Sequence, residues 1–231
     1  MDWRDRLLQL VLPRVCAACR ADLPPPLQGP LCGPCLKGLR PLRPPYCPRC
    51  GAAGAPEPSC ARCPSLPADA PLTRAAFRYR GPLPALLHAF KYGGSRSAGA
   101  ALGDWMAGAW RLHPELGRPD ALVPVPLHPA RLARRGFNQA RLLAERVARA
   151  ARVPVRELLS RERDTPPQAR RARVERAGRL EGAFRASSAA ARLRLVLIDD
   201  AMTSGETLAA CAAALREAGA DGVRAFVLTR A

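Results

Sequence analysis

The sequence is short of aromatics, of lysine and of long apolar runs. Aromatic residues occupy only 5% of the 231 positions, so any interior is built mainly from leucine, valine and alanine. No apolar run approaches the ~18 residues of a membrane-spanning helix, which excludes an integral membrane protein of that kind. The first residues carry Asp2 and Asp5 ahead of only a short apolar stretch, Leu7 to Leu12. That is not the pattern of a secretory signal, and the chain reads as cytoplasmic. An apolar fraction of 48% excludes wholesale disorder. Lysine supplies only two of the 37 basic residues. So strong an arginine bias reflects coding composition as much as function, and makes Lys37 and Lys91 worth following.

What is present is unevenly placed. Fifteen of the 25 prolines and eight of the nine cysteines fall in residues 1–71, which hold one Trp, one Tyr and no Phe. Such a segment cannot bury a conventional core and needs a staple. The net charge of +18 is divided as +4 over residues 1–70, +4 over 71–120, +12 over 121–194 and −2 over 195–231. We therefore expect a Cys-rich module over 1–70 and a second unit over 71–231.

The cysteines form four C-x-x-C pairs: Cys16 with Cys19, Cys32 with Cys35, Cys47 with Cys50, and Cys60 with Cys63. Two residues between thiols let both sulfurs face one ion, and two pairs complete the closed S₄ shell of structural zinc. Four pairs imply two Zn²⁺. Disulfides suit the cytoplasmic reading poorly, and a redox C-x-x-C stands alone beside a βαβ unit rather than in a regular series. Sequential grouping of the pairs is favoured over an interleaved, cross-braced one. Sulfur fills every ligand position, so no catalytic water is expected. Cys211, within an apolar helical pattern, reads as a small buried residue.

From residue 72 the pattern becomes α/β. Strands are expected over 74–80, 121–126, 193–198 and 223–229, and helices over 83–92, 98–113, 137–151 and 207–218. Alternation of this kind implies a mostly parallel sheet with helices on both faces, and ligands at the carboxyl ends of its strands.

One strand end is rich in chemistry. The apolar run to Ile198 meets Asp199 and Asp200, then Ala201-Met202, a turn of Thr203, Ser204 and Gly205, and a helix opening at Glu206-Thr207. Unpaired N–H groups and the helix dipole at such a helix start suit a phosphate. Adjacent carboxylates would repel it unless they accept hydrogen bonds from vicinal hydroxyls, as on a ribose. A ribose 5-phosphate meets both halves.

This stretch resembles the ribose-phosphate signature of type I phosphoribosyltransferases. The run Asp120 to Gln139 is similar to the pyrophosphate-binding strand and loop of the amidotransferase-type members. Pro124-Val-Pro-Leu-His-Pro129 followed by Arg135-Gly-Phe-Asn-Gln139, Ala89-Phe-Lys91-Tyr92-Gly-Gly94, and Arg163-Asp-Thr165-Pro-Pro-Gln168 ahead of Gly182-Ala-Phe184 resemble the ComF family of competence proteins. Its members often carry a double zinc ribbon at the N-terminus.

The resemblance implies a type I phosphoribosyltransferase-like domain after a double zinc ribbon. Asp199 and Asp200 would be the catalytic acids, holding ribose with metal-linked contacts, and residues 199–207 would form the ribose-phosphate site. Leu127, His128, Arg131, Arg134, Arg135, Gln139 and Lys91 would lie on the pyrophosphate side, with Lys91 and Tyr92 near the mouth. Residues 161–179, including Gln168, would close over the site as a lid; Arg179 stands where the family usually has Asn. The resemblance further implies Mg²⁺ with phosphoribosyl diphosphate, binding of single-stranded DNA and contact with proteins of the DNA-uptake machinery. The alternatives are an active transferase of nucleotide metabolism with an unidentified base, and a zinc-ribbon adaptor on a catalytically dead fold.

Overall fold

The computed structural model describes residues 14–23, 29–54, 60, 61, 63–163, 180 and 182–230. In chain order its elements are α1 (Gly33–Gly38), β1 (Leu72–Arg78), α2 (Leu83–Tyr92), α3 (Arg96–Trp110), β2 (Ala121–Pro124), α4 (Pro129–Arg135), α5 (Gln139–Ala151), β3 (Leu159–Arg161), β4 (Phe184–Ala186), β5 (Arg194–Met202), α6 (Glu206–Glu217) and β6 (Gly222–Arg230).

Four strands make a sheet in the order β1-β6-β5-β2, and every pairing in it is parallel. The central place of β5 follows from the sequence pattern. Leu195 to Ile198 is apolar without alternation and is buried throughout, as a central strand covered on both faces must be. Leu83, Leu86, Leu87 and Phe90 share one face of α2 by helical spacing and are all buried. They join α3 and α5 residues, Val196, Ile198 and Phe226 in the core on one face of the sheet. On the other face α6 packs Leu208, Cys211 and Leu215 against Leu195 and Leu197. Cys211 is fully buried there, as its surroundings in the sequence imply.

Several expected boundaries move. The strand expected to end at Ile198 continues to Met202, because β6 keeps register with it through Asp199–Val227, Ala201–Thr229 and Met202–Arg230. Both acids thus lie within the strand, with the turn after them. The expected helix over 98–113 spans 96–110, started by Ser95, whose hydroxyl accepts from Ala98 N at 3.2 Å. The strand over 121–126 ends at Pro124, and β1 starts two residues before the expected 74. The helix expected from Phe137 begins at Gln139, because Asn138 caps it. The α4 helix and the antiparallel β3–β4 pair stand outside the expected elements. Pro129 at the first turn and Gly136 at φ 76 after the last are the punctuation that marks α4.

The Cys-rich segment packs directly on this domain. Cys16, Leu23, Leu31 and Leu39 enter the same core as Leu83 and Phe90. Residues 40–42 lie antiparallel along β1, with Leu42 N donating to Ala76 O at 2.9 Å and Arg78 N to Arg40 O at 2.9 Å, which covers the sheet edge. Tyr46 donates to Glu115 Oε1 at 2.8 Å, and the buried Arg74 guanidinium binds the same carboxylate while stacking 5.0 Å from the Tyr46 ring. His113 completes this buried polar group, its Nδ1 3.3 Å from the Tyr46 hydroxyl. Residues 164–179, including Gln168 and Arg179 of the expected lid, lie outside the described residues.

Candidate functional site

The acid pair sits at the carboxyl end of β5, where the fold places ligands. Asp200 is buried and Asp199 half-buried. Asp200 N donates to Asp199 Oδ1 at 2.8 Å, and Lys91 Nζ, from the last turn of α2, lies 2.8 Å from Asp200 Oδ1. Burial, then the neighbouring Asp200 charge, pushes the Asp199 carboxyl up to about 7, against the opposing pull of Lys91. Burial disfavours the Lys91 ammonium, but Asp200 and then Asp199 outweigh it and raise its pKa.

The turn that follows is tight. Gly205 is buried at φ 81, and a Cβ there would lie 2.7 Å from Met202 Cε and 3.0 Å from Leu66 Cδ2. The positive φ favours glycine, and a Cβ would displace the ends of the Met202 and Leu66 side chains. Gly205 is the N-cap residue of α6 and offers no side-chain cap to the first N–H groups of the helix. Thr203 is exposed, while Ser204 and Thr207 are half-buried. The arrangement offers carboxylate acceptors on one side and N–H and hydroxyl donors on the other.

The segment after β2 supplies the arginines. His128 caps α4, its Nδ1 accepting from Ala130 N at 3.3 Å. Arg131, Arg134 and Arg135 are spaced to share one side of α4. Arg135 donates to Gln139 Oε1 at 3.2 Å, and its guanidinium lies 5.3 Å from the exposed Tyr92 ring. Gln139 is buried, with Nε2 lacking a hydrogen-bond partner. The structure therefore brings Arg135, Tyr92, Lys91 and Asp200 into one chain of contacts. Lys91, grouped by resemblance with the pyrophosphate side, contacts the acid pair. A cleft of about 610 Å³ lies beside α4, lined by Leu127, His128, Leu132, Phe137, Asn138 and Arg161 among others; Asp199 and Asp200 do not line it.

The eight paired cysteines fall into two sets. The Sγ atoms of Cys16, Cys19, Cys32 and Cys35 all lie within 4.8 Å of one another, as do those of Cys47, Cys50, Cys60 and Cys63. The grouping is sequential rather than interleaved. Cys19–Cys32, Cys47–Cys63 and Cys50–Cys60 sulfur separations are 3.6, 3.4 and 3.6 Å. A tetrahedron with Zn–S bonds of ~2.3 Å has edges of about 3.8 Å, so both sets fit zinc. Burial raises the Cys16 thiol, but the N–H groups of Cys19, Cys32 and Ala18 outweigh it and bring it down to about 6. These are two four-cysteine zinc-binding sites, and each closes its metal with sulfur alone.

Sequence reasoning missed Asn138, Leu66 and Arg230. Asn138 accepts from Ala140 N at 2.9 Å and donates to Val125 O at 3.1 Å, fixing the loop to the helix that follows it. An N-cap signal was available for it. Leu66 and Arg230 carry no local signal, since their neighbours come from distant segments.

Residues 7–64 match the double zinc ribbon domain family. Over nearly the full chain, the sequence is 32% identical to the DNA utilization protein YhgH of Salmonella typhi, across 226 residues that cover 96% of this chain and 99% of that one. It is 29% identical to competence protein F of Haemophilus influenzae, covering 94% and 96%, and 30% identical to competence protein ComFC of Bacillus subtilis, covering 87% and 84%. Among solved structures it is similar to the glutamine phosphoribosylpyrophosphate amidotransferase of B. subtilis, with 22% identity and a TM-score of 0.39 over 57% of this chain and 27% of that one. Among the described residues no helix is long and apolar enough to cross a membrane. With its paired zinc ribbons, its parallel α/β sheet and these full-length relatives, the chain belongs to the ComF family.

Proposed function

We propose that this protein acts in DNA uptake and natural transformation, binding single-stranded DNA and a ribose 5-phosphate ligand such as phosphoribosyl diphosphate. In this reading residues 1–70 are the zinc module and residues 71–231 the phosphoribosyltransferase-like ligand-binding unit. The protein works in the cytoplasm beside other proteins of the uptake machinery.

The observation that carries the sugar-phosphate half is the Lys91-braced acid pair at the end of β5, followed at once by the Gly205 turn and the start of α6. Asp199 and Asp200 accept from the ribose hydroxyls. The N–H groups and hydroxyls of residues 203–207 hold the 5′-phosphate. Arg131, Arg134 and Arg135 face the diphosphate. Among the described residues only the two cysteine sets gather three or more metal-ligating side chains. Mg²⁺ therefore fits here only as an ion carried by diphosphate oxygens, with one or two carboxylates assisting. When bound, it neutralises charge on the diphosphate.

The DNA half is supported by the net +12 of residues 121–194 and by the DNA-utilisation and competence names of the full-length relatives. With few aromatics for stacking, such binding is electrostatic and sequence-tolerant. Fluorescence anisotropy with single-stranded oligonucleotides should show affinity falling steeply as salt rises. Salt-insensitive or absent binding sinks this half. Phosphoribosyl diphosphate with Mg²⁺ should raise the melting temperature, and the double change Asp199→Asn and Asp200→Asn should abolish the shift. An unshifted wild-type melt sinks the other half.

One observation favours an alternative, an active phosphoribosyltransferase with an unidentified base. Asp199, with its carboxyl near neutrality, is poised to exchange a proton with an acceptor. A pyrophosphate-release screen with free bases and single-stranded DNA as acceptors separates the two readings.

A further inference from the structure

Arg230 ends β6 and is 9% exposed. Its Nη1 donates to the Cys50 carbonyl at 2.7 Å and to Met202 Sδ at 3.2 Å, and its Nε is buried with no hydrogen-bond partner. The ion pairs among the described residues do not include it. A buried guanidinium without a carboxylate is costly, so a counter-charge is required. A source in direct contact is the second cysteine set, to which Cys50 belongs. One Zn²⁺ with four thiolates carries a net charge of −2.

The same arginine also touches the neighbouring strand. Met202 is its register partner and the last residue of β5, directly before the turn at 203–205. A second link runs in parallel. Leu66 N donates to Cys63 O at 3.0 Å, and the Leu66 side chain fills the space where a Gly205 Cβ would stand. Leu66 packs against both the Cys47–Cys63 cluster and the core that contains Met202. The first zinc site packs elsewhere, with Cys16 against the α2 side of the sheet.

We propose that Arg230 is the internal counter-cation of the second zinc site, and that Arg230 and Leu66 are positioning residues that hold the 202–205 turn in shape only while that site is metal-loaded. The two zinc ions thus have different work. The first secures the module to α2, and the second braces the turn. Calling that turn a sugar-phosphate site rests on the reading above, so the test uses no sugar phosphate and the two can fail separately.

Full-length protein is challenged with the chelator 4-(2-pyridylazo)resorcinol, and hydrogen exchange is followed over residues 200–207. In Arg230→Met one of the two zinc ions should leave about tenfold faster or more, the range for lost outer-shell partners, while the other leaves at the wild-type rate. Arg230→Lys, which keeps the charge, should restore most of the retention. Cys63→Ser should lose exchange protection over 200–207, whereas Cys35→Ser should keep it. Leu66→Ala should speed exchange over 200–207 with both zinc ions retained; this arm stands even if the Arg230→Met chain fails to fold. Wild-type release of both ions from Arg230→Met overturns the counter-ion assignment. Unchanged exchange in both Cys63→Ser and Leu66→Ala overturns the bracing. A wild-type chain isolated without zinc overturns both.

Discussion

Lys91 Nζ stands 2.8 Å from Asp200 Oδ1, so the acid pair at the end of β5 is charge-balanced by a residue from α2 before any ligand arrives. The pair is largely buried, with the lysine side chain 23% and the aspartate side chain 11% exposed. Removing the ammonium leaves two carboxylates facing each other in a site of low dielectric. Lys91→Met should lower stability by about 2 kcal/mol in urea titrations. Adding Asp200→Asn should recover part of that loss. A double-mutant cycle with coupling near zero would show the pair to be incidental.

Asp199 gives the site a pH signature. Its folded-state carboxyl is raised to about 7, above the ordinary value of 3.8, so the folded protein holds this proton more tightly than the unfolded chain. The stabilisation it contributes is present below about pH 4 and is lost as pH rises through about 7. Asp199→Asn should therefore melt roughly 3 °C or more above wild type at pH 8 and close to it at pH 4. Wild-type affinity for ribose 5-phosphate should rise from pH 6 to pH 8, because the ionised carboxylate is the better acceptor. A flat titration in calorimetry removes Asp199 from the ribose contact.

Gly205 tests the turn without touching a charge. Alanine would have to adopt φ 81 and push against Met202 and Leu66. The expected cost is about 2 kcal/mol, with weakened ribose 5-phosphate binding. An alanine variant of wild-type stability would mean that the turn relaxes freely.

The buried group joining the zinc module to the sheet should set an acid limit. Burial opposes ionisation of Glu115, but Arg74, its own backbone N–H and Tyr46 hold its carboxyl down at about 2. A depressed carboxyl contributes stability above its ordinary value of 4.5 that is lost as pH falls toward 2. His113 adds to the same trend, since burial lowers its pKa and protonation favours the unfolded chain. In an Asp199→Asn background, which removes the opposing titration of that carboxyl, circular dichroism melts should show stability falling from about pH 6.5 downward, more gently with Glu115→Gln added. Tyr46→Phe should lower stability by about 1 kcal/mol at neutral pH.

Much of this arrangement was legible from local signals. C-x-x-C spacing is a local property, so the four pairs and their two metals could be read without knowing the fold, while which pairs share a metal is fixed by the three-dimensional arrangement. The run from Leu195 to Thr207 names its own place, because an apolar strand followed by acids and a glycine turn occupies a strand end in any parallel sheet. The α4 helix escaped because it has only seven residues, three of them arginines, although Pro129 and Gly136 mark its ends. Lys91 was singled out by composition, but its partner could not be read. That contact depends on how α2 lies across the sheet, which no periodicity encodes. Arg230 was invisible for the same reason, since the end of a strand gives no hint that a zinc knuckle covers it.

The contact between Cys50 and Arg230 spans 180 residues of sequence, and β1 pairs with β6, the first strand with the last. On the ribosome the cysteines emerge long before the strand they lean on. A nascent chain can therefore gather its zinc while one flank of the metal module and the edge of β1 still await β6. Closure of the sheet is the late, non-local step, slower than the local events before it. Any delay or truncation at the carboxyl end would leave a metal-loaded but unfinished module, a target for chaperones and proteases even though every zinc ligand is in place.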